Sequence, residues 1–503
     1  MKITMWATFL NAVVLVSCFV SSCGCVRNNA VPTASTPLGR ISVRGKWLVD
    51  SDGRVRVFHG WNSVLKSPPW YDDNILNETQ LAIFKQMGFN AVRLGAMWTG
   101  FEPSKDQFNA TYIIILQNIV KKLEKYGIYA LLDMHQDVIS TKFDSYDGAP
   151  RWVIDSFPDS VHPYPWPLKK VTAWAEGYLT EAVGNAFQCL YDNVNGGRDA
   201  LVKFWQKVAS VFKDQTSILG YEMINEPWAG GVYDDPTLFT PGEAGKRNLQ
   251  PLYEHINTGI RKIDNNTLLF YEPVTWGMLF NGKVLGSGFS HVPGGDLYKN
   301  RSVFSYHYYC WILTGNMSQP YPIGKKILCD DLLEPKVFNA VMADLDILGG
   351  SSFLTEYGLC TITDDPESED SQECNAVMRL ADKYVQSWTY WDSQFFDAHG
   401  AVVEPAVKGF SRAYPRATAG TPLTMSYDPT SAEFQYDFVM DTTIKAPTEV
   451  FVPPFHYPKG PKVAVTNGLK WTYSQEDNLV YVLPVSRDFE FNSSSRITMV
   501  PAK

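Results

Sequence analysis

Short apolar segments alternate with longer amphipathic segments through most of the chain. Tyr112–Tyr126 is typical of the longer type, because Ile115, Ile119, Leu123 and Tyr126 recur at helical spacing and form one apolar face. Apolar strands that alternate with helices indicate parallel βαβ units. The pattern predicts helices at Thr79–Met87, Tyr112–Tyr126, Arg198–Phe212, Tyr253–Ile263 and Lys336–Leu348, and eight strands at Arg54–Gly60, Asn90–Gly95, Tyr129–His135, Leu219–Glu226, Thr267–Glu272, Ser302–Tyr309, Ser351–Glu356 and Val385–Trp391.

Eight such units predict an α/β fold, a (β/α)8 or TIM barrel, which we assign to residues 41–418. The longest loops would follow strands three and five. The loop Asp137–Asn195 is rich in proline and contains Trp152, Trp166 and Trp174. In a barrel this loop lies at the carboxyl ends of the strands, where long loops usually shape a substrate cleft.

The pattern changes near Pro415–Gly420, beyond which apolar and polar residues alternate with a period of two and no helical pattern appears. Several short strands with turns between them predict a β-sandwich at residues 419–503. Such a module binds substrate or membrane, or only covers the flank of the barrel. Its predicted strands are Phe434–Met440, Glu449–Pro453, Lys462–Thr466, Leu469–Tyr473, Asn478–Leu483, Asp488–Phe491 and Arg496–Val500.

The first 25 residues read as a secretory signal peptide. Lys2 precedes an apolar run from about Met5 to Val20, and small residues follow. A membrane anchor and a lipoprotein cleavage site are alternatives, although Thr8 and Asn11 interrupt the run. Residues 26–40 are polar and predict a flexible lead-in. We therefore expect a secreted protein, in the extracellular space or in a digestive or lysosomal lumen.

The net charge limits the possible partners, and the glycosylation sequons agree with the expected location. The net charge of −9 argues against a nucleic-acid partner, which usually requires a basic surface. Together with a signal peptide, six N-x-S/T sequons fit a glycoprotein of the secretory pathway. They begin at Asn77, Asn109, Asn265, Asn300, Asn316 and Asn492.

Five of the eight cysteines lie beyond the signal region. Cys310 with Cys329, and Cys360 with Cys374, are near enough in sequence to close short loops by disulfide bonds in an oxidising compartment. Cys189 would then remain unpaired. Five reduced thiols are the alternative, and no spacing fits a zinc site.

Polar residues cluster where the predicted barrel strands end. In a TIM barrel the active site is assembled from the carboxyl ends of several strands, so this clustering favours a site over a chance surface arrangement. The residues concerned are Arg93, His135, Asp137, Asn225, Glu226, Glu272, His307, Tyr309, Glu356, Trp388 and Trp391.

Two glutamates suit glycoside hydrolysis, which uses one carboxyl group on each side of the scissile bond. Glu226 ends predicted strand four and Glu356 ends predicted strand seven. Strands that face each other across a barrel mouth can hold two carboxyl groups about 5 Å apart, the geometry of retaining enzymes.

Motifs around these glutamates resemble a known family. Asn225-Glu226-Pro227 resembles the acid/base motif of glycoside hydrolase family 5, and Thr355-Glu356-Tyr357-Gly358 resembles its nucleophile motif. Within that family, Gly60-Trp61-Asn62, the run Asp133–Asp137, the barrel exit Tyr414–Gly420 and the C-terminal β-module resemble the endoglycoceramidases. The resemblance extends from about residue 40 to the C-terminus. It implies a β-glycosidase that separates intact oligosaccharide from the ceramide of glycosphingolipids.

The resemblance also implies roles for individual residues. Glu356 would be the nucleophile, kept ionised by Arg93 and Tyr309, and Glu226 would be first acid and then base. Asn225 and His307 belong to the set that the family shares, with Asn225 bound to the sugar 2-hydroxyl. The sugar next to the ceramide would contact His135, Asp137 and Lys66 and would stack on Trp388 or Trp391. An apolar groove for ceramide would be lined by Trp174, Tyr178, Trp276, Leu279 and Phe280.

No cofactor is expected, and carbohydrate contacts explain His135, Asp137 and His307 better than a catalytic metal does. Glu272 is expected to support the site or line the cleft, and Glu222 to be buried and paired. The expected partner is a glycosphingolipid in a membrane or micelle. The enzyme is expected to be a monomer, and the sequence leaves open whether an activator or detergent is required. The alternatives are another family 5 β-glycosidase, acting on galactosylceramide-type glycolipids, steryl glucosides or β-glucans, and a non-catalytic glycan-binding protein.

Overall fold

Nineteen strands appear in the computed structural model, which describes residues 38–143, 147–275, 286–310, 320–392, 394–486 and 494–503. The strands are β1 (Ser42–Arg44), β2 (Trp47–Val49), β3 (Val55–Arg56), β4 (His59–Ser63), β5 (Ala91–Gly95), β6 (Tyr129–Asp133), β7 (Ile218–Glu222), β8 (Leu268–Tyr271), β9 (Ser302–Tyr308), β10 (Ser351–Tyr357), β11 (Trp388–Tyr390), β12 (Tyr414–Thr418), β13 (Gly420–Tyr427), β14 (Phe434–Met440), β15 (Thr448–Phe451), β16 (Pro461–Val465), β17 (Leu469–Ser474), β18 (Leu479–Pro484) and β19 (Ser495–Pro501).

Helices follow the barrel strands and pack outside them. Short 3-10 turns at Asp73–Leu76, Thr141–Phe143, Trp174–Leu179, Val194–Gly196, Pro236–Phe239 and Gly295–Arg301, and π-helical turns at Gly245–Leu249 and Ile327–Leu333, complete the described helical structure. The α-helices are α1 (Glu78–Gln86), α2 (Trp98–Phe101), α3 (Ala110–Lys125), α4 (Arg151–Ile154), α5 (Glu181–Tyr191), α6 (Gly197–Phe212), α7 (Gln250–Arg261), α8 (Ile323–Lys326), α9 (Glu334–Leu348), α10 (Glu369–Tyr384) and α11 (Glu404–Phe410).

Strands β4 to β11 form a closed, all-parallel barrel, which confirms the predicted (β/α)8 fold. The fully buried barrel strands are short and rich in aliphatic and aromatic residues, as a sheet covered on both faces requires. Their register brings functional side chains together across neighbouring strands. His307 of β9 is aligned with Glu356 of β10, and Asn62 of β4 is aligned with Arg93 of β5.

The C-terminal module consists of two antiparallel sheets, in agreement with the predicted sandwich. One sheet has the order β13-β14-β19-β16, and the other has the order β1-β2-β3-β12-β15-β18-β17. Residues 42–56, which the sequence analysis assigned to the barrel, therefore contribute three strands to the second sheet. The first barrel strand begins later than predicted, at His59, because Val55 and Arg56 pair with β12 instead.

The sandwich packs firmly against the barrel. The Tyr414 hydroxyl donates to the Gly88 carbonyl at 2.6 Å, and a Cβ on Gly88 would lie 2.4 Å from the Phe451 ring. Gly88 also has a φ of 86°, so glycine is needed there for both reasons. A buried ion pair of 2.6 Å between Arg412 and Asp382 adds a polar contact near this boundary.

Disulfide bonds join Cys310 to Cys329 and Cys360 to Cys374, whereas Cys189 is a buried free thiol. Within the described residues, no helix has both the length and the apolarity needed to cross a bilayer. Several predictions fall outside these residues: the signal peptide 1–25, the lead-in up to residue 37, the strand Asp488–Phe491, the sequons at Asn316 and Asn492, and the groove residues Trp276, Leu279 and Phe280.

Candidate active site

Polar side chains converge at the carboxyl ends of the barrel strands. Arg93 lies in β5, His307 in β9 and Glu356 in β10, while Asn225 and Glu226 follow β7 by a few residues. Arg93, Asn225 and Glu356 are buried, and Glu226 and His307 are half-buried. One carboxylate oxygen of Glu226, one of Glu356 and one ring nitrogen of His307 lie within 4.8 Å of one another. The two carboxylates thus approach each other as closely as in retaining glycosidases.

Arg93 is the fixed cation at the centre of this cluster. Its Nη1 lies 2.5 Å from Glu356 Oε1, and its Nη2 lies 2.7 Å from Asn225 Oδ1 and 3.1 Å from Asp133 Oδ1. Its Nε forms a further ion pair with Glu222. Burial alone would lower the pKa of Arg93, but the surrounding carboxylates raise it well above its ordinary value. The guanidinium therefore holds several carboxylates in one place by fork-like hydrogen bonds.

Glu356 is held as a carboxylate with both oxygens occupied. Arg93 Nη1 donates to Oε1, and the Tyr309 hydroxyl donates to Oε2 at 2.7 Å. Burial would raise the pKa of Glu356, but the positive charges of His307 and Arg93 outweigh burial and lower that pKa below its usual value. The side chain is thus ionised and oriented, as a nucleophile requires.

Glu226 stands in a strained turn that the surrounding side chains fix. Its φ is 39°, in the left-handed region that non-glycine residues seldom occupy. Gln136 Nε2 donates to the carbonyls of Asn225 and Glu226 at 2.6 and 2.9 Å, and the Glu226 amide donates to Glu272 Oε2 at 3.1 Å. These bonds direct the Glu226 carboxylate towards His307.

His307 connects three carboxylates. Its Nδ1 lies 2.9 Å from Glu226 Oε1 and 3.5 Å from Glu356 Oε2, and its Nε2 lies 3.5 Å from Glu272 Oε1. Burial would lower the pKa of His307, but the charges of Glu272, Glu356 and Glu226 raise it to about 10. For Glu226 the effects have the opposite signs. Burial would raise its pKa, but the hydrogen bond from His307 and the charge of His307 lower that pKa below its usual value. In the free site, the proton shared by this pair therefore resides mainly on His307, 2.9 Å from Glu226.

A second polar group extends the site along the cleft. His135 Nδ1 bonds Asp133 Oδ2 at 2.7 Å, and Lys66 Nζ lies 2.5 Å from Asp137 Oδ2. The His135 ring stacks on Trp391 with centroids 5.2 Å apart, and Lys66 Nζ lies 4.7 Å from the centroid of the same indole. Burial holds the pKa of His135 well below its usual value, so Nδ1–H donates to Asp133 and Nε2 remains an acceptor.

Of the two candidate tryptophans, only Trp391 belongs to this group. Trp388 is fully buried, stacks on His59 with centroids 4.3 Å apart and meets the Tyr357 ring edge-on. The prediction that the sugar could stack on Trp388 is therefore wrong. The two residues are an odd number of positions apart at the end of a strand, so their side chains leave the backbone on opposite sides.

Three groups of His, Asp and Glu side chains among the described residues are close enough to hold a metal ion. They are His135 with Asp137 and Asp147, Glu222 with Glu272 and His307, and Glu226 with His307 and Glu356. Each group already contains or contacts a protein cation: the Lys66 ammonium, the Arg93 guanidinium or the protonated His307. A divalent metal would compete with these cations for the same carboxylate oxygens, so the residues do not fit one.

Some residues of the site were not singled out by their sequence pattern. Asn62 Oδ1 accepts from Arg93 Nη1 at 3.2 Å, while its Nδ2 donates to the Thr355 carbonyl at 3.0 Å. Its place in Gly60-Trp61-Asn62, which was noted for its resemblance, was the available signal. Glu222 is buried and paired, as expected, and Glu272 supports the Glu226 turn and faces His307. Gln136 lies in the run Asp133–Asp137, which was noted for its resemblance, whereas Asp147 carried no signal of its own.

An apolar cavity of about 500 Å³ lies next to the Glu226 turn. Trp174 and Tyr178, the two described residues predicted for a ceramide groove, are not among the residues that line it. Tyr178 is buried and donates to the Glu226 carbonyl at 3.3 Å, and the Trp174 ring centroid lies 5.4 Å from Lys66 Nζ. The walls come from the loops after β7 and β8, together with Leu179 from the loop after β6, and include Trp228, Ala229, Leu238, Phe239, Pro273 and Val274.

Known proteins share this architecture and much of this sequence. Residues 49–397 match the family described as "Cellulase (glycosyl hydrolase family 5)", and residues 412–497 match the "Glycoside hydrolase family 5 C-terminal domain". The endoglycoceramidase of Cyanea nozakii is 35% identical over 500 residues, covering 90% of this chain and 93% of that protein. The endoglycoceramidase of Hydra vulgaris is also 35% identical, covering 88% and 86%.

A solved structure has the same fold over almost the whole chain. Endo-glycoceramidase II from Rhodococcus sp., in its ganglioside GM3 complex, superimposes with a TM-score of 0.73 at 24% identity, covering 92% of this chain and 100% of that one. The match to both family domains, the full-length relatives and the paired carboxylates agree with one another. This chain therefore belongs to glycoside hydrolase family 5, in the group of the endoglycoceramidases.

Proposed function

We propose that this glycoside hydrolase cleaves the β-glycosidic bond between the oligosaccharide and the ceramide of glycosphingolipids, with retention of configuration. The products are the intact oligosaccharide and ceramide. The proposal is supported by relatives that carry the name endoglycoceramidase and match this chain over most of its length. The spacing of the Glu226 and Glu356 carboxylates supports the retaining mechanism.

In the first step, a Glu356 oxygen attacks the anomeric carbon while the bond from that carbon to the ceramide oxygen breaks. Arg93 and Tyr309 hold the attacking carboxylate and keep it charged. Glu226 delivers a proton to the leaving oxygen, so that ceramide departs as a neutral alcohol. His307 holds that proton 2.9 Å away and passes it to Glu226 as the negative charge of Glu356 is consumed.

In the second step, Glu226 takes a proton from water, and the resulting oxygen attacks the glycosyl–Glu356 ester. The sugar leaves with its original configuration, and the proton passes from Glu226 back to His307 as Glu356 regains its negative charge, so the site returns to its starting state. Asn225, whose Oδ1 is fixed by Arg93 at 2.7 Å, binds the 2-hydroxyl of the reacting sugar through its Nδ2. His135, Asp137 and Lys66 bind other hydroxyls, and Trp391 stacks beneath the ring.

The apolar cavity is the single observation that carries the choice of a lipid substrate. The group that departs in the first step lies beside the acid that protonates it, which is Glu226. Trp228 and Ala229 follow Glu226 by two and three residues, and they form part of the cavity wall. A cello-oligosaccharide would place another polar sugar there, whereas ceramide places hydrocarbon there and gains burial of about 25 cal/mol per Å².

The test uses ganglioside GM3 in detergent micelles and, separately, a cello-oligosaccharide, with Glu356→Gln as the inactive control and mass spectrometry of the products. We expect free ceramide and intact oligosaccharide from the wild type only. Cleavage of the cello-oligosaccharide alone would reject the lipid substrate and retain the carboxylate mechanism. A galactosylceramide and a steryl glucoside in the same assay separate the two other lipid-linked alternatives.

We also propose that the protein is a secreted glycoprotein that acts as a monomer. The two disulfide bonds suit an oxidising compartment. The four sequon asparagines among the described residues, Asn77, Asn109, Asn265 and Asn300, are all exposed. Expression in a eukaryotic secretory host should give a protein in the medium whose mass falls after treatment with an N-glycosidase. A reduced, unglycosylated protein retained inside the cell would contradict this.

A further inference from the structure

The helical segment 323–333 exposes apolar side chains and turns polar ones towards the protein, the reverse of an ordinary surface helix. Such helices normally bury an apolar stripe and expose charged residues. Here the exposed fractions are 71% for Ile323, 45% for Ile327, 37% for Leu328 and 57% for Leu332. Ile323 and Ile327 are four residues apart, Ile327 and Leu332 are five apart in the π-helical turn, and Leu328 and Leu332 are again four apart. We call the apolar surface that these four residues form the rim face.

The opposite side of the same segment is polar and tied to the protein. Lys325 Nζ lies 3.3 Å from Glu369 Oε1, and Lys326 Nζ donates to Gln372 Oε1 at 2.6 Å. Both partners belong to α10. Because the lysines hold this side against α10, the rim face is directed away from the body of the molecule.

A disulfide and a hydrogen bond fix the segment at the active-site end of the barrel. Cys329 is fully buried and bonded to Cys310, which lies two residues beyond the carboxyl end of β9. The Tyr308 hydroxyl also donates to the Cys329 carbonyl at 3.1 Å. The preceding residue in the chain, His307, belongs to the active site. The segment cannot rotate to bury its apolar side without breaking these bonds.

Other exposed apolar side chains lie in loops at the same end of the barrel. Leu179 and Phe239, 44% and 59% exposed, also line the apolar cavity next to Glu226. Leu359, 53% exposed, lies two residues beyond β10, the strand that carries Glu356. Exposed apolar side chains thus occur in three other loops at this end of the barrel. Surface of this kind is costly in water unless another apolar surface covers it.

We propose that the rim face, formed by Ile323, Ile327, Leu328 and Leu332, inserts into the lipid surface that carries the substrate. This inference rests on the proposed function. The bond to be cleaved joins a water-exposed glycan to a hydrocarbon anchor, so it lies at the boundary of a bilayer or micelle. An apolar helix face at the active-site mouth brings the two glutamates to that boundary, in the manner of an interfacial helix.

The first test measures sedimentation of the full-length protein with phosphatidylcholine vesicles that contain no glycolipid. The variant Ile327→Ser/Leu332→Ser removes the centre and one end of the rim face. The matched control, Ile114→Ser/Ile347→Ser, removes two isoleucines that are 56% and 70% exposed on the helices α3 and α9. We expect at least about tenfold weaker vesicle binding by the rim variant and unchanged binding by the control.

The second test compares two substrates. Against GM3 embedded in vesicles, the rim variant should lose about tenfold in rate, whereas its rate on a water-soluble aryl β-lactoside and its Tm should match the wild type. Equal vesicle binding by wild type and rim variant would overturn the proposal. A loss that appears only when an added activator protein is present would also overturn it, in favour of a protein partner. Failure to cleave GM3 in detergent would reject the proposed function alone, because vesicle binding is measured without substrate.

Discussion

Two groups of carboxyl side chains, one at the barrel mouth and one beneath the rim face, are stabilised within the protein in different ways. At the barrel mouth, Glu222 and Glu356 contact the Arg93 guanidinium directly, and the protonated His307 lies near Glu356. Beneath the rim face, Asp330, Glu334 and Glu373 are packed together, and no lysine or arginine nitrogen of the described residues lies within ion-pair distance of them. A buried carboxylate needs a counter-charge or a proton; Glu356 at the mouth has the counter-charge, whereas Glu334 and Glu373 beneath the rim face have raised pKa values that favour the proton.

Protons replace cations in the second group. The Tyr321 hydroxyl lies 2.7 Å from Glu373 Oε2 and 3.1 Å from Asp330 Oδ1, so it connects the two carboxyl groups. Burial and the charge of Asp330 raise the pKa of Glu373 to about 8. Burial also raises the pKa of Glu334 well above its usual value.

This difference between cations and protons indicates that the two groups of carboxyl side chains have different roles. The cations at the mouth keep a carboxylate charged over a wide pH range, which suits a nucleophile. The protons beneath the rim face make local stability depend on pH. More distant charges on neighbouring elements, those of Lys326 on α8 and of Glu369 and Arg379 on α10, adjust but do not reverse this behaviour.

The largest effect is expected when the charged carboxylate at the mouth is neutralised. Glu356→Gln removes the nucleophile, so kcat on GM3 should fall by at least about 10⁴-fold while the protein remains folded. Product formation is followed by mass spectrometry and folding by Tm. A fall of less than about tenfold would show that Glu356 is not the nucleophile.

Glu226→Gln is the matched variant. Its kcat on GM3 should be about 10²–10⁴-fold lower than that of the wild type. With a nitrophenyl glycoside, whose leaving group needs no proton, it should release nitrophenol in a burst and then turn over slowly. The same response of both variants to the nitrophenyl substrate would contradict the separate roles.

Removing the cation itself should destabilise the fold. Arg93→Met leaves Glu222, Glu356 and Asp133 without their common partner in a buried site, so the free energy of unfolding should fall by about 3–5 kcal/mol. Urea unfolding measures this change. Arg151→Met, which breaks an exposed ion pair with Asp155, is the control and should cost less than about 1 kcal/mol. Equal losses would show that the buried guanidinium does not hold the cluster together.

Removing a charge from the carboxyl group beneath the rim face should have the opposite effect and stabilise the fold at high pH. The pKa of Glu373 is raised in the folded protein from an ordinary 4.5 to about 8. The unfolded chain therefore loses its proton first as pH rises, and wild-type stability declines between about pH 4.5 and pH 8. Glu373→Gln is neutral at every pH and lacks this contribution to the decline. It should be roughly 2–4 kcal/mol more stable than wild type at pH 8 and nearly equal at pH 4.5.

Urea unfolding at both pH values measures that difference. Asp346→Asn on the exposed surface of α9 is the control and should show wild-type pH dependence. A Glu373→Gln variant that is less stable than wild type at pH 8 would mean that the folded protein holds Glu373 as a carboxylate.

The sequence indicated most of this architecture because the barrel depends on local patterns. All eight predicted barrel strands correspond to strands of the structure, although the first begins at His59 and not at Arg54. That shift depends on pairing between Val55 and Thr418, hundreds of residues away, which no local pattern reports. The strands β12 and β13 were missed for the same reason, since Tyr414–Gly420 was interpreted only as a domain exit.

The site was predictable in its residue types and not in its geometry. Glu226 and Glu356 could be identified from their motifs. The choice between Trp388 and Trp391 could not be made, because it depends on which side of a strand end faces the cleft. The φ of 39° at Glu226 and the support from Gln136 depend equally on long-range contacts.

The smallest predicted effects come from removing one hydroxyl at each group. Tyr309 donates to Glu356 Oε2, and Tyr321 donates to Glu373 Oε2, both at 2.7 Å. Tyr309→Phe removes a bond to a carboxylate that must stay charged, so the pKa of Glu356 should rise, kcat should fall by about tenfold, and the acidic limb of the pH–rate profile should move to higher pH. Tyr321→Phe should leave kcat and that limb unchanged and should lower the free energy of unfolding by about 1–1.5 kcal/mol. If both variants lost only stability, the two groups would not differ in purpose, and the cations at the mouth would serve the fold alone.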